Sequence, residues 1–184
     1  MASARAPTAL LAMLVVFGLA RAGDPAADTA GAVQGEASRT AVPALVLRVP
    51  VVGIRRSALR DTYADRRGDR PHEALDIPAP RGTAVVAAAP GRIVKLFTSV
   101  PGGLTIYQFD REQHYALYYA HLDRYAAAVT EGMPVEQGQV IGYVGTTGNA
   151  PPDAPHLHFA VFRLGPGTEW WKGTPVDAFD WLTD

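Results

Sequence analysis

Four of the five histidines fall in three short motifs: Pro71-His72-Glu73-Ala74-Leu75-Asp76, Tyr119-Ala120-His121-Leu122 and Pro155-His156-Leu157-His158-Phe159. Residues i and i+2 of a strand point to the same face, so His156 and His158 project together if that run is a strand. Phe159, Val161 and Phe162 favour one. Two imidazoles on one face either both bind a metal, or one binds while its neighbour handles protons. His72 and Asp76 pose a different problem, because four residues span about 13 Å when extended. Two ligands of one zinc each lie only about 2 Å from it. The backbone must bend between them. With Pro71 before and Pro78 after, a loop entering a strand at Leu75 is preferred to a helical turn.

His72, Asp76 and one member of the histidine pair make a set of two neutral nitrogens and one hard carboxylate. Zinc sites with three protein ligands and an open position are typically catalytic, whereas structural sites are closed and rich in cysteine. The chain has no cysteine. A zinc ion here is expected to hold water and lower its pKa to about 7. His121 and the other member of the pair are left over. Strand alternation puts Tyr115, Leu117, Tyr119 and His121 on one face, which reads either as a core histidine under aromatic residues or as a strand-end histidine beside that water. In the second case it takes a proton or stabilises an oxyanion, a contribution of roughly 100- to 10,000-fold. His114, near an expected hairpin turn, has no partner motif and reads as solvated.

The elements that must position these groups are short and densely punctuated. There are 18 Gly and 15 Pro, close to a fifth of the chain, and spread between short apolar runs they predict many tight turns and a mostly β protein. Strands are expected at 44–52, 75–77, 84–88, 91–97, 104–109, 115–121 and 156–164. Asp110 to Gln113 reads as a hairpin turn. Gly132 to Gly142 reads as a turn between two short strands. Residues 65–71, with Arg66, Arg67, Gly68 and Arg70, form a polar loop before the first histidine motif. Residues 54–63 read as irregular or partly helical, and 123–129 as the one late helical candidate. Trp170 and Trp171 read as part of a strand covering the core, with groove lining as the alternative.

The bulk properties narrow the partners. The formal net charge is −1, so nothing points to nucleic acid. The 184 residues favour one domain plus a tail, and 48% hydrophobic residues suffice for an ordinary core. At the N-terminus, Arg5, the apolar run Ala9 to Ala20 and Ala20-Arg21-Ala22 read as a signal peptide over 1–22. That apolar run is too short for a membrane span, which needs roughly 20 residues, so no span is expected in the mature protein. Residues 23–42 are poor in large apolar side chains and read as a flexible linker. The domain proper is expected over 43–184, exported to the periplasm or secreted, with no lipobox or disulfide possible.

On these motifs the chain resembles the lysostaphin/LytM-type zinc metallopeptidases, which cut peptide crosslinks in bacterial cell walls. The shared pattern is H-x-x-x-D at His72 to Asp76, Y-x-H-L at Tyr119 to Leu122, Gly145-Thr146-Thr147-Gly148-Asn149, and H-L-H-F at His156 to Phe159. The run Gly132 to Gly148 also matches a characteristic segment, and the likeness covers about residues 50–165. It implies an antiparallel β-sheet with a long groove and few short helices. It makes His72, Asp76 and His158 the zinc ligands, with His121 and His156 as catalytic residues flanking the water and the scissile carbonyl. Peptidoglycan stem peptides are the implied substrate. Ala74 stands where the family usually has Gly, and Ala160 where many members carry an acid. The other class of function is a LytM-like domain without catalysis that binds and activates a wall amidase. Such domains have usually lost zinc ligands, and this chain keeps all three. A third possibility keeps the zinc chemistry but cleaves the sugar–peptide amide or a protein.

Overall fold

The computed structural model describes residues 42–184. The expected signal segment, and all of the expected linker but its last residue, lie outside the described residues. In chain order the strands are β1 (Leu47–Arg48), β2 (Arg66–Arg67), β3 (Arg70–Pro71), β4 (Leu75–Pro78), β5 (Ala84–Val86), β6 (Gly91–Ser99) and β7 (Gly103–Asp110). They continue with β8 (Tyr115–Tyr125), β9 (Pro134–Val135), β10 (Val140–Val144), β11 (His156–Leu164), β12 (Gly173–Val176) and β13 (Leu182–Thr183). Among the described residues the helical pieces are two three-residue 3-10 turns, Arg56–Ala58 and Phe179–Trp181. None is long and apolar enough to cross a membrane. The expected mostly β, antiparallel architecture is what the chain adopts.

Nine strands form one sheet whose main path runs β12-β11-β8-β7-β6-β9, with β4 on β11 and β10 bridging β8 to β5. Strand alternation sorts its central members into two faces. Tyr115, Leu117 and Tyr119 of β8, and Leu157, Phe159 and Val161 of β11, are all buried at 3% exposure or less. They pack with Ile93, Ile106 and Ile141 into one core. Each such side chain contributes about 1.5–3 kcal/mol by leaving water. The buried Tyr119 hydroxyl is satisfied twice, donating to Gln108 Oε1 at 2.8 Å and accepting from the Ala88 N–H at 2.9 Å. The opposite face, carrying Tyr118, Ala120, His158, Ala160 and Phe162, lines a groove.

Three local expectations are corrected. Residues 123–129 are not helical: β8 continues to Tyr125 because Arg124 and Tyr125 pair with Tyr143 and Gly142 of β10, so sheet hydrogen bonds override local preference. A turn then closes from the Val129 N–H to the Ala126 carbonyl at 3.0 Å. Trp170 and Trp171 precede β12 and belong to no strand. Trp170 instead packs on Tyr107 and Phe97, with ring centroids 4.8 and 5.5 Å away. Tyr107 pairs with Tyr118 across β7 and β8, so Trp170 covers the groove-side face beyond the groove itself. The segment expected as a first strand is only partly one: beyond β1 it runs beside β5 through single hydrogen bonds, such as Val52 N–H to Ala84 carbonyl at 3.0 Å.

Candidate metal centre and groove

β4 and β11 lie side by side, with Asp76 opposite His158. This pairing sets one carboxylate against one imidazole. His72 joins them because the chain bends at Glu73, whose φ of 57° is left-handed. Ala74 is absent from the left-handed set and is buried at 3%, so alanine is unstrained there. Three donor atoms then meet. His72 Nε2 lies 3.1 Å from His158 Nδ1, His158 Nδ1 lies 3.1 Å from Asp76 Oδ1, and His72 Nε2 lies 3.2 Å from Asp76 Oδ1. Donors on a tetrahedral zinc with bonds of about 2.05 Å stand about 3.3 Å apart. The triangle therefore fits one face of a zinc tetrahedron, with little rearrangement.

The surroundings aim these donors. A carbonyl only accepts, so the 3.1 Å contact of His72 Nδ1 with the Thr62 carbonyl puts the proton on Nδ1 and leaves Nε2 a lone pair. The Thr62 hydroxyl accepts from the Asp76 N–H and donates to the Ala74 carbonyl, both at 3.0 Å. Arg67 Nη2 holds the outer oxygen, Asp76 Oδ2, at 2.6 Å. Burial pushes the Asp76 carboxyl up, but the His158 hydrogen bond and the charges of His72, His158 and His156 outweigh it and bring it to about 2. Burial also lowers the His72 pKa, keeping it neutral and able to ligate. Thr62→Val removes the hydroxyl and keeps the carbonyl. Zinc affinity is expected to fall about 10- to 100-fold, read by chelator competition. The orphaned Asp76 N–H is expected to cost about 1–3 kcal/mol in urea unfolding.

His121 does not share the face of Tyr115, Leu117 and Tyr119, as strict alternation would have it. Tyr119 pairs with Ile106 and Leu122 with Leu104, so a step of three on β8 faces a step of two on β7. This bulge, with His121 at φ 59°, returns Leu122 to the core and turns His121 into the groove. Its ring centroid lies 4.9 Å from that of His156 and 5.6 Å from that of His158. His121 Nδ1–H donates to the Thr147 carbonyl and His156 Nδ1–H to the Ala154 carbonyl, each at 2.8 Å. Both rings therefore keep a free Nε2 lone pair, and that of His156 lies 3.7 Å from Asp76 Oδ1. Burial, reinforced by neighbouring imidazoles, lowers the His121 pKa, so it stays an unprotonated base at neutral pH. His114 lies apart from the groove, exposed in the β7–β8 turn.

Thr62 and Arg67 drew no role from sequence reasoning, since a backbone carbonyl and an outer-oxygen contact carry no motif. Thr147 sits in a recognised motif, and its part is now visible. Its hydroxyl accepts from the Leu104 N–H at 2.9 Å and donates to the Leu122 carbonyl at 2.7 Å. The loop approaches so closely that a Cβ on Gly148, at φ +76°, meets the Gly103 nitrogen and Gly102 carbonyl carbon. Gly148→Ala is expected to destabilise by about 2–5 kcal/mol, combining left-handed strain with overpacking, in denaturant unfolding.

A β-sheet groove holding a His-Asp-His donor set and two further oriented histidines defines a metal-centred hydrolase class. Comparison with known proteins agrees. The profile of peptidase family M23 matches residues 70–178, and the chain belongs to that family. Its cofactor is zinc, and the His-Asp-His group can hold it. The chain is 37% identical over 119 residues to the L-Ala–D-Glu endopeptidase of Bacillus subtilis, covering 60% of this chain and 36% of that one; it thus spans about a third of that relative's length. Among solved structures, the catalytic domain of lysostaphin from Staphylococcus simulans superposes with a TM-score of 0.53 at 28% identity, covering 61% of this chain and 86% of that one. A zinc-containing peptidase from Vibrio cholerae gives 0.57 at 25% identity, covering 74% and 40%.

Proposed function

We propose that the chain is an exported zinc endopeptidase that hydrolyses peptide crosslinks of bacterial peptidoglycan. The observation that carries this reading is the convergence of His72, Asp76, His158, His121 and His156 on one open groove of about 800 Å³, with three donor atoms at zinc-ligand spacing and two free imidazole nitrogens beside them. The names of the B. subtilis and S. simulans relatives support a peptide bond as the target. The signal-like residues 1–22 and linker-like residues up to 42 support delivery of the 43–184 domain to the periplasm or outside the cell.

His72, Asp76 and His158 hold the metal. Bound zinc would supply Lewis-acid polarisation of a carbonyl and lower the pKa of a water to about 7. The residues do the rest. An extended peptide lies along the groove over Tyr118 and Phe162. His121, neutral at working pH, accepts through Nε2 the proton of the water that attacks the carbonyl carbon. His156 faces the same space, and its Nε2 lone pair is a second hydrogen-bond acceptor for the attacking water. As the C–N bond breaks, His121 returns the proton to the leaving amine nitrogen, giving a carboxylate and an amine.

The test is mass spectrometry of purified crosslinked muropeptides incubated with the zinc-loaded full chain and with its His121→Ala variant. Conversion of dimers to monomers by the wild type alone is expected, and the product masses identify the bond. Intact dimers with one zinc bound per chain overturn the reading in favour of an amidase-activating domain.

A further inference from the structure

We infer that the groove selects peptides bearing a free carboxylate beside the scissile bond, and that Arg67 and Arg70 are the residues that read it. The inference rests on the endopeptidase reading and adds its substrate class. Arg67 and Arg70 are direct cross-strand partners in the β2–β3 ribbon, and both line the groove at the end where His72 and Asp76 stand. Like charges set directly opposite repel. A two-residue ribbon on the surface gains nothing from placing them so, and such breaches of local rules gather at functional positions.

The two guanidiniums are unequally engaged. Arg67 Nη2 contacts Asp76 Oδ2 at 2.6 Å while 50% of its side chain stays exposed. That contact uses one of its five N–H donors. Arg70 forms no ion pair among the described residues, although Asp69 is its chain neighbour and Glu73 lines the same groove. The pair therefore presents unspent N–H donors and an uncompensated charge to the groove, a few residues in space from the metal donors. A planar fork of this kind matches a carboxylate in two parallel hydrogen bonds. A carboxamide offers one oxygen and no charge, and the hydrogen bond it forms is about half as strong. The expected preference for acid over amide is about 10- to 100-fold.

Calorimetric titration tests this with the zinc-loaded full chain in its His121→Ala form, so that hydrolysis does not intervene. The probes are L-Ala-γ-D-Glu-L-Lys and its D-isoglutamine counterpart, which differ by one carboxylate. The acid form is expected to bind about 10- to 100-fold more tightly. Arg70→Gln is expected to bring that ratio to within about threefold, while Arg70→Lys, keeping charge without the fork, restores it in part. Arg111→Gln, an exposed arginine paired with Glu136 on a distant turn, controls for general charge and leaves the ratio alone. Equal Kd values for the two peptides, binding of neither, or a ratio that survives Arg70→Gln overturns the inference. Conversion of crosslinked muropeptide dimers to monomers by the chain with His121 intact reports separately on the endopeptidase reading.

Discussion

His158→Ala is expected to strip the chain of zinc and abolish hydrolysis. His158 Nδ1 stands 3.1 Å from both remaining donor atoms, so its loss leaves two ligands, 3.2 Å apart, where three formed a closed face. Loss of a partner that merely supports a ligand weakens metal binding about 10- to 100-fold. Loss of the ligand itself is expected to exceed that, about 1000-fold or more. Bound zinc then falls from one per chain to a small fraction at micromolar metal, measured by elemental mass spectrometry after gel filtration. The fold is expected to survive, because the His158 ring lies on the groove face with 22% of its side chain exposed, while the core beneath it is held by Leu157 and Phe159. Full zinc occupancy at undiminished affinity in this variant would remove His158 from the ligand set.

The second large effect separates chemistry from metal binding. His121→Ala is expected to keep one zinc per chain and lose about 100- to 10,000-fold in kcat, the usual contribution of a positioned acid–base group. His121 touches no donor atom, and its Nδ1–H is committed to the Thr147 carbonyl, so the three ligands are undisturbed. Its φ of 59° strains alanine, and His121→Asn supplies the control, since asparagine tolerates the left-handed region. Both variants are expected to show the same kinetic loss with intact zinc. A wild-type kcat in either, or loss of zinc in step with activity, would show that His121 is not the proton acceptor.

Much of this site is local, and local features are legible. The H-x-H pair on β11 needed only strand alternation, because a period of two is a property of the backbone itself. The need for a bend between His72 and Asp76 followed from chain length and ligand distance. The turn at Asp110 to Gln113 followed from its residue types, and there Asp110 Oδ1 indeed accepts from the Tyr115 N–H at 2.7 Å. The absence of cysteine already excluded a thiolate zinc site.

What the tertiary structure decided is wherever one segment's geometry is set by a distant one. The bend resides at Glu73 rather than at Ala74, because the Glu73 N–H is held by the Tyr63 carbonyl at 2.9 Å. The fate of 123–129 was settled by β10, which took Arg124 and Tyr125 into the sheet. The clearest case is His121. Alternation along β8 alone puts it on the face of Tyr115, Leu117 and Tyr119 and leaves core and strand-end readings open; the bulge against β7 sends it to the groove. That bulge is pinned by the Gly102 carbonyl, which accepts the His121 N–H at 2.8 Å, and by a Thr147 carbonyl 26 residues further along the chain. Sequence carries side-chain chemistry and short-range periodicity by itself; register, and with it the face a residue presents, is fixed only when strands far apart in the chain pair.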